Sequence, residues 1–189
     1  MRTFACVLLS VILLFSSAFA QKGDIPKSIS ESVGDVLDFA QQQFLAAAEA
    51  MPADKYTFIP STGSFKDARS FGEQVKHVAC ANLAFFNEIE GKTPPQLCEK
   101  GGPLKASSKA ELLQYLRDSF DYSKKVLATI NAQNALDRVN GRYAAPNTKL
   151  GVAVAAVWHI SDHYGQIAEY LRMNGIVPPA TQQHGLKVR

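Results

Sequence analysis

The sequence lacks the usual signatures of nucleotide and acyl-transfer chemistry. It contains no G-x-S-x-G, no P-loop and no glycine-rich dinucleotide turn, so those reactions have no footing. It has no basic stripe and no interleaving of aromatic with basic residues. The formal net charge of +3 is dispersed along the chain, and no nucleic-acid partner is expected. No internal repeat, strand-rich region or interdomain linker breaks it up. Beyond the first twenty residues no run is long and apolar enough to span a membrane. Histidine and cysteine are both scarce, at four and three among 189 residues, so each one carries weight.

What is present begins at the N-terminus. Arg2 supplies a short positive region, residues 7–15 are apolar except for Ser10, and Ala18-Phe19-Ala20 has the small-x-small form of a signal-peptidase site. The expectation is a signal peptide over residues 1–20, cleaved after Ala20, and an exported protein, periplasmic or extracellular, whose residues 21–189 form one domain. Gln21 stands where a lipoprotein would need cysteine. An uncleaved membrane anchor is the alternative, although the apolar run is shorter than the roughly 20 residues that a spanning helix requires.

Four segments carry helical periodicity. The first, from about Ser28 to Met51, repeats Ile29, Val33, Val36, Leu37, Ala40, Phe44, Leu45 and Ala48 at steps of three and four, and Pro52 ends it. The next stretch, residues 56–60, reads as an ordered loop. The second helix is expected from Asp67 to Gly91, a glycine stop. After a crossover rich in proline and glycine, Ser107 or Ser108 caps the third, with Glu111 placed for a capping box on Ser108. The buried face of the third runs from Leu112 to Ile130. The fourth spans Lys149 to Asn174, stopped by Gly175. Four long helices around one core predict an all-α four-helix bundle with long crossover loops.

The chemistry concentrates on the fourth helix. His159 and His163 are four residues apart, so their imidazoles project from one face, one turn apart. An H-x-x-x-H pair alone is a weak signal, since it lacks the glutamate of the zincin pattern. Taken alone, the pair is more often two histidines at a core edge, hydrogen-bonded to neighbours. A third, His77, lies in the middle of the second helix, and packing of helices two and four would complete a set of three. Three protein ligands with an open position is the arrangement of catalytic zinc. Glu73 is placed to orient His77, and Asp162 and Gln166 to orient His163. Ordinary solvated polarity is the competing reading for these three. Trp158 and Tyr164 read as packing residues, and His184, in the tail, has no assigned role.

Three stretches carry a family resemblance: residues 51–60 (MPADKYTFIP), 71–79 (FGEQVKHVA) and 159–172 (HISDHYGQIAEYLR). The whole chain after residue 20 resembles the DinB-like (damage-inducible) four-helix proteins. One histidine on the second helix with H-x-x-x-H on the fourth is the pattern that carries the likeness. The resemblance implies a divalent metal, zinc or nickel foremost, bound by His77, His159 and His163. It also implies that the chain resembles relatives that are metal-dependent transferases or isomerases using small thiols, and others with no known activity. The leader-like N-terminus departs from the cytosolic members, and small thiols are scarce outside the cytoplasm.

Three functions stay open at this stage. One is a metal-dependent transferase or hydrolase acting on an unidentified small molecule, as a monomer or homodimer. Another is a non-catalytic metal-binding or stress-response protein. The third is a structural or interaction module whose three histidines are core residues. The remaining cysteines, Cys80 and Cys98, suit a disulfide in an oxidising compartment. Cys80, three residues after His77, is alternatively placed to become a fourth ligand as a thiolate.

Overall fold

The computed structural model describes residues 25–64, 67–102, 108–143 and 147–183. The expected signal peptide and His184 lie outside these residues. Five helices, α1 (Ile29–Ala50), α2 (Phe71–Ile89), α3 (Lys109–Leu127), α4 (Lys149–Met173) and the short α5 (Pro179–Gln183), carry the fold. The four long ones form the predicted bundle. α2 lies between α3 and α4, while α1 packs on α4 and more lightly on α3. Leu37, Phe44, Val75, Leu116, Ile160 and Leu171 are fully buried within one core. No described helix is long and apolar enough to cross a membrane.

The helix starts follow from their caps. Ser70 and Ser108 each accept from the backbone three residues on, and Glu73 and Glu111 return the bond, giving two capping boxes. The second helix therefore starts at Phe71, not near Asp67, whose φ of 68° is incompatible with a helix. Ser108, not Ser107, caps α3. At the other ends, Lys92 N–H donates to Asn87 and Ile176 N–H to Leu171. These six-to-one bonds close Schellman turns over Gly91 and Gly175. Val36, expected in the core stripe of α1, is 54% exposed because it falls at the stripe's solvent edge. A two-residue antiparallel ladder, β1 (Arg138–Val139) with β2 (Asn147–Thr148), precedes α4 and went unpredicted. Strands this short carry no alternating pattern.

The loop after α1 is ordered, as expected, and it sets the height of α2. Ala53–Lys55 makes one 3-10 turn. The Tyr56 hydroxyl donates to Ala48 O at 2.6 Å, and Gly72 N–H donates to Tyr56 O at 2.8 Å. A Cβ at Gly72 would meet Tyr56 at 3.2 Å, a spacing that leaves little room for any side chain. Tyr170 of α4 donates its hydroxyl to Arg69 O at 3.0 Å, fixing the start of α2 against α4.

Candidate metal centre

Helical spacing places three imidazoles at the α2–α4 seam. His77 follows the capping box by one turn, and His159 and His163 share the inward edge of α4. Ring centroids are 5.1 Å apart for His77 and His159, 4.7 Å for His77 and His163, and 4.5 Å for His159 and His163. One ligand-capable nitrogen from each lies within 4.8 Å of the other two. Among the described residues no fourth histidine, cysteine or carboxylate joins them. His77 and His163 are buried. The Phe85 ring stands edge-on to His159, with centroids 5.5 Å apart.

Carbonyl acceptors fix two of the three tautomers. His77 Nδ1 lies 2.7 Å from Cys98 O. A carbonyl only accepts, so His77 carries its proton on Nδ1 and leaves Nε2 with a lone pair. His163 Nδ1 is 2.8 Å from Gln74 Oε1, with the same consequence. The Gln74 amide is held by donation from its Nε2 to Gln166 Oε1 at 2.7 Å, and Gln166 Nε2 donates to Asp162 Oδ2 at 3.0 Å. His159 Nε2 sits 3.1 Å from His77 Nε2, while its Nδ1 is buried without a hydrogen-bond partner among the described residues.

Electrostatics keeps all three neutral. Burial, then the neighbouring imidazoles His163 and His77, push His159 down from 6.5 to about 3. Burial, His77 and the Arg69 guanidinium push His163 to about 3. His77 is also lowered, chiefly by burial. Neutral imidazoles are the ligand form that zinc, nickel, copper and iron take, and in His77 and His163 Nδ1 is held from behind so that Nε2 is bare. The donor set therefore fits a divalent transition metal.

Several sequence expectations change in detail. Glu73 does not orient His77, because its carboxylate is committed to the Ser70 N–H at 2.7 Å. Asp162 and Gln166 reach His163 only through Gln74, which the sequence reading missed. Its one available signal was a glutamine one turn before His77 on the same helix face. Trp158 is not a packing residue: it is 67% exposed, on the side of α4 turned from the core. Tyr164 is partly buried against the core. Cys80 is not a fourth ligand, since it is joined to Cys98 across a sequence separation of 18. Beside the site, a cleft of about 430 Å³ is lined by Arg69, Gln74, Gln166, Glu169 and Tyr170 among others, and by none of the three histidines.

Comparison with known proteins supports the same architecture. The crystal structure of a conserved protein from Enterococcus faecalis superposes with a TM-score of 0.60 at 17% identity, covering 76% of this chain and 95% of that one. At that identity the likeness shows the fold. No curated protein matches the chain. The family described as the DinB superfamily matches residues 37–167, which takes in all three histidines and the glutamine behind His163, and the chain belongs to that superfamily.

Proposed function

We propose that the protein binds one divalent transition metal through His77, His159 and His163. The observation that carries this reading is the convergence of three neutral imidazoles, two of them held in the ligating tautomer by carbonyl oxygens behind them. Membership of a superfamily whose members often bind metal adds to it. Three ligands are fewer than a closed structural zinc site uses.

The finer reading is a metal-dependent transferase or hydrolase. A metal bound here supplies Lewis acidity and lowers the pKa of a bound water or thiol. The chain's part is to hold the ligands, through Cys98 O behind His77 and the Gln74–Gln166–Asp162 relay behind His163. The neighbouring cleft, walled by Asp67, Arg69, Gln166 and Glu169, offers room and polarity for a small substrate. Metal-stripped and reloaded protein, screened against ester, phosphoester and thiol-transfer substrates, tests this. Activity lost on stripping and restored by zinc or nickel is the expected result. A specific observation favours the second reading, a non-catalytic metal-holding protein: the cleft walls include no site histidine. Reloaded protein inert toward every class would support that role.

Export is part of the proposal. The Cys80–Cys98 disulfide suits an oxidising compartment, and N-terminal sequencing of native material is expected to begin at Gln21.

A further inference from the structure

The same residue that closes the disulfide also orients a metal ligand. Cys98 Sγ is bonded to Cys80, and Cys98 O accepts the His77 Nδ1 proton at 2.7 Å. Cys98 opens a single 3-10 turn, Cys98–Lys100, flanked by Leu97 and Gly101, both with left-handed backbones. Such a turn has too few internal hydrogen bonds to hold its own position. Its placement comes from outside. The Arg69 guanidinium donates to Glu99 O at 2.9 Å and to the Glu99 carboxylate at 3.1 Å. That ion pair is largely solvent-exposed, with Glu99 at 76%, so it is a weak tether. The covalent tether is the disulfide, and it is wholly buried at both sulfurs' residues. The seat is also closely fitted: a Cβ on Gly102 would lie 2.4 Å from Cys80 Sγ. Cys80 sits one turn beyond His77 on α2, so the bridge anchors the carbonyl to the very helix that carries the histidine.

We propose that the Cys80–Cys98 disulfide is a positioning element of the metal site, so that its oxidation state sets metal affinity. Oxidised, it fixes Cys98 O behind His77 Nδ1 and keeps His77 Nε2 bare and aimed at the site. Reduction by a dithiol breaks the S–S bond, transfers two electrons and two protons to give two thiols, and leaves the reductant as its own disulfide. The turn then loses its covalent anchor, and His77 loses its fixed acceptor. Removing an outer partner of a ligating histidine lowers metal affinity by about 10–100-fold. This inference rests on the metal-binding reading above. Coupling is reciprocal: if oxidation tightens zinc binding tenfold, zinc shifts the disulfide's midpoint potential by about 30 mV toward more negative values.

The test compares zinc affinity, by chelator competition, in oxidised full-length protein, in protein reduced with a phosphine, and in the Cys80→Ala/Cys98→Ala variant. Circular dichroism follows the fold, and the ¹⁵N signals of His77 report its tautomer. The expected result is zinc binding at least tenfold weaker in both thiol-free and reduced forms, with loss of the fixed Nδ1–H signature. Equal affinity in all three forms overturns the proposal. Should the variant fail to fold, the wild-type potential, measured with and without buffered free zinc, decides. A shift of about 30 mV or more to negative values supports the proposal. No shift overturns it, and so does a positive shift, which would mean that the reduced thiols capture the metal. Oxidised protein that binds no zinc at all overturns the metal site itself, an outcome distinct from binding that ignores the disulfide.

Discussion

Gln74 Oε1 accepts the Nδ1 proton of His163 at 2.8 Å across the α2–α4 seam. A side chain on one helix thus sets the tautomer of a candidate ligand on another, and His77, one turn along from Gln74, faces the same histidine cluster. The two helices must keep their register for either contact to survive.

Replacing Gln74 with Leu is therefore expected to weaken metal binding by about 10–100-fold, the usual cost of losing the partner behind a ligating histidine. Gln74→Glu retains an acceptor and is expected to lose less. Calorimetric titration with zinc checks both. A leucine variant with wild-type affinity would show that His163 needs no orientation.

The bundle and its helices were readable in the sequence because Ile29 to Ala48 and their counterparts repeat at the helical period, and because Ser108 with Glu111 spells out a cap. The histidine cluster was readable because three of the chain's four histidines fall in segments of helical periodicity, two at i,i+4 and one on a second helix. The features that went unread depend on tertiary placement. Gln74 resembles any polar helix residue until α4 packs over it. Glu73 suited a role behind His77 equally well until the start of α2 fixed it as the capping partner of Ser70. Trp158 reads as core by composition, and only the rotation of α4 turns it outward.

The metal-free protein should lose stability on mild acidification. His159 and His163 sit at about 3 in the folded state against an ordinary 6.5, and His77 is shifted the same way. Between those values the unfolded chain takes up protons that the folded chain refuses, so stability falls as pH drops from about 6.5 toward about 3 and is full above that range. Urea midpoints of the metal-free wild type are expected to fall more steeply from pH 7 to pH 4 than those of a variant with all three histidines replaced by glutamine. Parallel profiles would contradict the depressed values.

Gln41 on α1 is buried, and neither atom of its amide has a hydrogen-bond partner among the described residues. It faces the groove between α1 and α3, the more loosely packed side of the bundle. Burying an unpaired amide costs about 1–3 kcal/mol. Gln41→Leu is expected to raise stability by about 1 kcal/mol without affecting metal binding, measured by urea denaturation. A destabilised variant would mean that the amide is satisfied in solution.

Elemental analysis of protein purified without a metal-affinity column, wild type beside His159→Ala, decides whether the three histidines hold a metal. Close to one equivalent of a divalent transition metal per chain is expected in the wild type. Essentially none is expected in the variant, with helical content unchanged by circular dichroism. A wild type that neither carries nor takes up metal, or a variant that retains a full equivalent, would contradict a three-histidine metal site.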